Sequence, residues 1–170
     1  QLNKDIILIY ASSDKAYGEK KSNNYKETDK LNAIYPYDVS KSTSDLICQS
    51  YALSYGLNVG IIRCGNLYGP GDHNTKRIIP ETIINCLKNK KLQIRSNGLL
   101  KRDYLYSEDA AEAYYLTMNK LLKNKKNNLL IYNVSSKFNL NVINLVKTIQ
   151  YKINRKLNYT ITSNSSLEIK

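Results

Sequence analysis

The sequence predicts an α/β fold built on a largely parallel sheet, and three observations carry that prediction. Short apolar runs alternate along the chain with longer amphipathic segments, the order expected when strands are joined by crossover helices. Two of the runs, Ile6–Tyr10 and Val59–Ile62, are near-continuous rather than alternating, as in strands covered on both faces. Between them, Tyr37–Tyr55 places Val39, Leu46, Ile47, Tyr51 and Leu53 at helical spacing.

Ile6–Tyr10 is read as a buried strand and residues 19–35, polar and irregular, as a loop. Pro36 suits the first turn of the Tyr37–Tyr55 helix and Gly56 its stop. Val59–Ile62 is the second buried strand, and Gly65–Asn74, with Gly69, Pro70 and Gly71, is a loop. Next come a helix over Ile78–Leu87, a short strand at Leu92–Ile94 and a helix over Ser107–Leu122. A strand at Leu130–Val134 and a helix over Asn141–Ile153 complete the pattern, and the polar tail after Tyr159 is read as frayed or cut.

Composition narrows the class. With 170 residues, 42% hydrophobic and 24% charged, the chain matches a globular domain long enough to bury a core. No apolar stretch approaches the ~20 residues that span a bilayer, so a cytoplasmic address and no membrane partner are expected. Cys48, Cys64 and Cys86 are odd in number and widely spaced, which fits reduced thiols better than a disulfide framework or zinc site, and no metal is expected. Lysine and arginine outnumber the acids 26 to 14, a net charge of +12 that raises the question of an anionic partner. Many of those lysines sit in connectors such as Lys123-Asn124-Lys125-Lys126-Asn127-Asn128, which read as solvated loop, and nucleic acid is not the expected partner.

The chemistry-bearing residues cluster at strand ends and one helix start. Tyr37 and Lys41 form a Tyr-x-x-x-Lys pair, one helical turn apart, and a nearby ammonium favours the phenolate of a tyrosine that must act as a base. Ser13 lies just past the first apolar run, where open α/β sheets place their ligands, and its hydroxyl can share the hydrogen bond to the same substrate oxygen. Alone, each is unspecific: Tyr-x-x-x-Lys also describes a surface pair, and Asp14-Lys15 a turn with an exposed ion pair.

Four segments in register change that reading. ASSDKAYGE from Ala11, YPYDVSK from Tyr35, RCGNLYGPGD from Arg63 and KRDYLYSEDA from Lys101 resemble, in order and spacing, the extended short-chain dehydrogenase/reductase family of NAD-dependent epimerases and dehydratases. The resemblance implies the C-terminal part of a Rossmann-like, doubly wound parallel sheet (residues 1–64) with part of a small substrate-binding lobe and sheet-returning segments (65–170). It implies NAD as cofactor, a nucleotide-diphosphate sugar as substrate, and a homodimer for the full-length protein, with Tyr37–Tyr55 as one of its contact helices.

Within this family the residues after the catalytic serine or threonine separate the reactions: small or neutral in many 4-epimerases, Asp-Glu in dTDP-glucose dehydratases, Asp-Lys in CDP-glucose dehydratases. Asp14-Lys15 resembles the last, implying a nucleotide-sugar 4,6-dehydratase. By resemblance, Ser13, Asp14, Lys15, Tyr37 and Lys41 are catalytic. Ser12, Tyr37, Lys41, Cys64 and Asn66 face the cofactor, and Asn66, Arg77 and Arg102 hold the substrate, Arg102 through its diphosphate. His73, the single histidine, is given no role.

The glycine-rich GxxGxxG loop that the resemblance requires for the NAD pyrophosphate is absent from these residues, so an incomplete domain, inactive in isolation, is expected. Two alternatives stay open: a nucleotide-sugar 4-epimerase using the same tyrosine, and a non-catalytic remnant or basic binding module.

Overall fold

A computed structural model describes residues 6–19, 24–123, 128–136 and 138–162 of the chain. The chain divides into two compact units, Gln1–Leu67 with Leu105–Ser135, and Tyr68–Tyr104 with Ser136–Lys170.

In the first unit, β1 (Ile7–Ser13) runs into a single 3₁₀ turn (Asp14–Tyr17), succeeded after a loop by α1 (Pro36–Tyr55) and β2 (Asn58–Cys64). A short strand, β3 (Asn66–Tyr68), leads out of this unit. The second unit holds α2 (Ile78–Leu87) and β4 (Leu92–Ile94), and β5 (Lys101–Tyr106) carries the chain back to the first. There α3 (Ser107–Lys123) and β6 (Leu129–Val134) complete a parallel sheet of order β1-β2-β6. The register pairs Ile7 with Asn58 and Ser13 with Cys64, then Val59 with Leu129 and Cys64 with Val134. The second unit closes with β7 (Asn139–Asn141), α4 (Val142–Ile153) and β8 (Tyr159–Ile161).

The period of two along β2 divides the first unit into two packed layers. Val59 and Ile61 point to one face, where Cys48 and Ala52 of α1 meet them beside Tyr10, Leu129 and Ile131. Ile62 and Cys64 point to the other, against Leu105 and Ala110, with Ile9, Tyr114, Tyr132 and Val134 around them. Gly60 shares this second face, and a Cβ there would come within 2.7 Å of both Ile9 Cδ1 and Thr117 Cγ2, so α3 lies close because that residue has no side chain. Helices on both faces of a parallel sheet agree with the α/β order that the alternation of runs predicts and with the doubly wound arrangement that the resemblance implies.

The second unit has its own core of Cys86, Leu92, Ile94, Val146 and Leu157, built between α2, α4 and the parallel pair β4–β8. β5 pairs antiparallel with β7, setting Arg102 opposite Leu140 and Asp103 opposite Asn139.

Three expectations are corrected. β1 is not buried along its apolar run: Leu8 is 45% exposed and only Ser12 and Ser13 are buried, because among the described strands β1 lies at a sheet edge, paired to β2 alone. The apolar stripe that predicts α1 is not its buried side. Val39, Leu46, Ile47, Tyr51 and Leu53 are exposed, while Asp38, Ser42, Asp45, Cys48 and Ala52 face inward. Small and polar side chains suit that inner face because the helix packs closely over the strand ends, where polar partners await it. Finally, Tyr159–Ile161 is a strand rather than a frayed tail, its backbone paired with Leu92–Ile94. The rest of the tail from residue 163 and the lysine connector at 124–127 lie outside the described residues.

Candidate active site

β1 ends at Ser13 because the side chain of that residue caps the next turn of chain. Ser13 Oγ accepts from the Lys15 backbone N–H at 3.2 Å and donates to Asp14 Oδ1 at 3.1 Å, turning the chain from strand into the 3₁₀ turn. Asp14 and Lys15 are thereby held, half-buried, at the C-terminal end of a parallel strand. The turn stops at Gly18, whose φ of +71° favours glycine and where a Cβ would run into the backbone carbonyl of Asn32.

α1 brings the second group. Tyr35 caps the helix in extended conformation, Pro36 occupies the first turn, and Tyr37 stands next to it with a 55% exposed side chain. One turn later, Lys41 Nζ donates to the Ala11 carbonyl of β1 at 2.9 Å and lies 6.0 Å from the centroid of the Tyr37 ring. The Lys41 bond ties the first turns of α1 to the strand that delivers Ser13. Ser13, Asp14, Lys15, Tyr37 and Lys41 therefore share one unit and one end of its sheet.

The other predicted residues are more scattered. Ser12 is buried, and its hydroxyl donates to Asp45 Oδ2 at 2.6 Å. Cys64, the last residue of β2, is buried among Ile62, Leu105 and Ala110, while Asn66 at the start of β3 is exposed. Arg77 and Arg102 belong to the second unit. Arg77 is exposed and meets Asp72 at 3.4 Å; Arg102 is half-buried on β5, and its charge partly opposes the burial that raises the pKa of Tyr104. Among the described residues, no group of three or more His, Cys, Asp or Glu is arranged to hold a metal, and no helix is long and apolar enough to cross a membrane.

Sequence reasoning missed the polar cluster beneath these residues. Asp45 of α1 is fully buried, and its carboxylate accepts from Ser12, from Gln49 Nε2 at 2.7 Å, and from Arg63 twice, Nε at 2.9 Å and Nη2 at 2.8 Å. Burial alone would raise the Asp45 pKa, but the hydrogen bonds from Arg63 and Ser12 and the arginine's charge outweigh it, holding the carboxyl below its ordinary value. Burial likewise works against the Arg63 charge, and the bonds to Asp45 and Tyr17 raise its pKa in spite of it. Arg63 Nη1 also donates to Tyr17 Oη at 2.7 Å and to the Glu27 carbonyl at 3.1 Å. Tyr17 Oη donates in turn to Asn133 Oδ1 of β6 at 2.7 Å. The signal was present in the sequence: an arginine closing the apolar run Val59-Gly60-Ile61-Ile62 can be buried only against a carboxylate.

A parallel sheet with a serine-capped turn and a tyrosine–lysine helix at its strand ends is the open α/β arrangement that places ligands beyond the carboxyl ends of its strands. The chain belongs to the NAD dependent epimerase/dehydratase family, whose model matches residues 3–135. It is 35% identical over 140 residues to the dTDP-D-glucose 4,6-dehydratase of Homo sapiens, covering 82% of this chain and 38% of that protein. It is 32% identical over 166 residues to a trifunctional UDP-glucose 4,6-dehydratase/UDP-4-keto-6-deoxy-D-glucose 3,5-epimerase/UDP-4-keto-L-rhamnose-reductase of Arabidopsis thaliana, covering 89% of this chain and 24% of that protein. The crystal structure of dTDP-glucose 4,6-dehydratase from Bacillus anthracis in complex with NAD matches with a TM-score of 0.78 at 27% identity, over 92% of this chain and 50% of that one. The chain thus spans about half the length, or less, of the relatives it matches.

Proposed function

We propose that this chain is the proton-handling part of an NAD-dependent nucleotide-sugar 4,6-dehydratase, a lyase acting on a nucleoside-diphosphate hexose. The observation that carries the reading is the placement of Asp14-Lys15 on a serine-capped turn at the end of β1, in the unit whose first α1 turn bears Tyr37 and Lys41. An acid and a base there serve a dehydratase, whereas a 4-epimerase needs only the tyrosine.

NAD, when bound, supplies the oxidant that takes hydride from C4 of the sugar and later returns it to C6. Lys41 fits the cofactor side: one ammonium hydrogen is used on the Ala11 carbonyl, leaving two for a ribose hydroxyl. Asn66, exposed at the start of β3 two residues past the end of β2, is assigned to the cofactor from the same sheet end. Ser12, whose hydroxyl donates to buried Asp45 and keeps its lone pairs as acceptors, stays in the cofactor set with Cys64.

In this reading Tyr37 takes the proton of the C4 hydroxyl, with Lys41 one helical turn away and Ser13 sharing the hydrogen bond to that oxygen. Oxidation at C4 acidifies the C5 hydrogen, which Lys15 removes, while Asp14 gives a proton to the C6 hydroxyl as it leaves as water. Arg102 and Arg77 are assigned to the substrate diphosphate, a guanidinium being suited to bidentate phosphate contact.

The exposed stripe of Val39, Leu46 and Leu53, spaced seven residues apart on α1, supports self-association through this helix in the full-length protein. A cytoplasmic address is proposed with it. The test is to incubate the full-length protein with dTDP-, UDP- and CDP-glucose and analyse the products. A 4-keto-6-deoxy sugar from any of them supports a dehydratase; interconversion of the C4 epimers without loss of water replaces it with an epimerase.

A further inference from the structure

We propose that Tyr17, Arg63 and Asp45 are positioning residues that anchor the Asp14–Lys15 turn to α1 and the sheet, so that water elimination depends on them more than oxidation at C4 does. The inference rests on the dehydratase reading for its chemical consequence, but the anchoring stands on geometry alone.

A single 3₁₀ turn has little stability of its own, since nucleating a turn fixes several dihedral angles for one or two hydrogen bonds. Its position must come from what holds its ends. The N-terminal end is held by the Ser13 cap. The C-terminal end is held by Tyr17, which is 3% exposed and is gripped on every side. Its hydroxyl accepts from Arg63 at 2.7 Å and donates to Asn133 at 2.7 Å. The Arg63 guanidinium lies 4.9 Å from its ring centroid, and the Tyr25 ring stacks on it at 4.7 Å with planes 4° apart. Tyr25 Oη then donates to the Gly18 carbonyl at 2.7 Å, closing the residue that ends the turn.

Arg63 can act as a fixed post because Asp45 clamps it through two parallel bonds, leaving Nη1 for Tyr17 and the Glu27 carbonyl. Asp45 sits on α1 one turn beyond Lys41. The chain of contacts Lys41 helix, Asp45, Arg63, Tyr17 therefore links the element bearing Tyr37 to the one bearing Lys15. The two ends of this link differ in robustness. α1 is a long helix packed through Cys48 and Ala52 on Val59 and Ile61, and it does not need the Tyr17 hydroxyl. The turn also lies against α1, but of its four residues only Ala16 and Tyr17 are buried, so the bonds of Tyr17 fix half of its buried side. Removing that hydroxyl should shift Asp14 and Lys15 while leaving Tyr37 and Lys41 in place.

The experiment uses Tyr17→Phe in the full-length protein, which keeps the ring stack and removes the two hydroxyl bonds. Amide hydrogen exchange without ligand should quicken at residues 14–18 and stay unchanged along α1. With nucleotide-sugar, kcat should fall on the order of 100-fold, as for a reacting group misplaced by about 1 Å, and KM should stay within about two-fold. Reduced nicotinamide should build up during turnover, because C4 oxidation continues while elimination lags. Tyr25→Leu, which removes the stack and the bond to the Gly18 carbonyl without touching the ion pair, should act in the same direction and serves if Tyr17→Phe does not fold. Unchanged exchange at 14–18 overturns the anchoring, and a fall in kcat without build-up of reduced nicotinamide overturns the selective role. If the wild-type protein releases no keto sugar, the dehydratase reading fails and the exchange result alone decides the anchoring: quickened at 14–18 supports it, unchanged overturns it.

Discussion

Replacing Asp45 by asparagine probes the polar centre of the first unit with almost no change of shape. The carboxylate takes four hydrogen bonds, from Ser12, Gln49 and twice from Arg63, and all four come from donors. An asparagine amide keeps one oxygen. Its nitrogen must then face an Arg63 N–H, whichever way it is turned, because each carboxylate oxygen receives one of the two arginine bonds. Ser12 and Gln49 can rotate to accept, but the guanidinium has no acceptor and its side chain is 1% exposed. An unbalanced buried charge of this kind costs about 3–5 kcal/mol. Against a total stability of about 5–15 kcal/mol, that is a large share. With a urea dependence of about 2 kcal/mol per molar, the unfolding midpoint should fall by roughly 2 M. The double variant Asp45→Asn, Arg63→Met removes the stranded charge, and its loss should be smaller than the sum of the single losses by about 1 kcal/mol or more. The assay is urea unfolding of the full-length protein and the three variants. A loss below about 1 kcal/mol for Asp45→Asn, or strict additivity in the double variant, would refute the reasoning.

The same carboxylate makes stability depend on pH. Its folded pKa is below the ordinary 3.8, so the stability it contributes is fully present above that value and is lost as the pH falls through the lower folded value. The urea midpoint of the wild-type protein should therefore decline on acidification below about pH 4, and that of Asp45→Asn should decline less over the same range. Tyr37→Phe should lower turnover by about 10²–10⁴-fold, with substrate affinity measured calorimetrically unchanged, since the ring stays and only the proton acceptor goes. Leu46→Glu, at a position 52% exposed in the middle of the α1 stripe, should shift the full-length protein to a smaller species in sedimentation without lowering its melting temperature.

Much of the fold is legible in the sequence because its main elements are long or uninterrupted. The runs at Ile6–Tyr10 and Val59–Ile62 and the segments at Tyr37–Tyr55, Ile78–Leu87 and Ser107–Leu122 leave little choice of structure. The strands that escaped, β3, β5, β7 and β8, are short or rich in polar residues, and their pairing is decided by partners far along the chain, as Lys101–Asp103 is by Asn139–Asn141. At the candidate site, motif spacing locates the residues that would touch a ligand, but not those beneath them. Asp45 reads as one more polar residue on a helix, and Tyr17 as part of a turn. Only the sheet register, which brings Ser12 beside Arg63 and Arg63 beside Asn133, makes them neighbours.

That register also explains why the polar cluster and the apolar core do not compete for space. Along β2 the residues facing α1 are Val59, Ile61 and Arg63, and those facing α3 are Gly60, Ile62 and Cys64. The α1 side therefore changes from apolar to ionic within one step of the pleat, at the strand end where Ser12 and Asn133 supply matching polar groups from β1 and β6. The α3 side stays apolar to the same depth, and burial beside Cys64 pushes the Tyr114 pKa up to about 12. An arginine placed one residue earlier on β2 would fall on the α3 face, among Ile9, Leu105 and Ala110, away from the Asp45 carboxylate. The position of Arg63 is thus fixed by chemistry at both ends. It must lie far enough along the strand to reach Tyr17 at the end of the 3₁₀ turn, and on the face that carries Asp45.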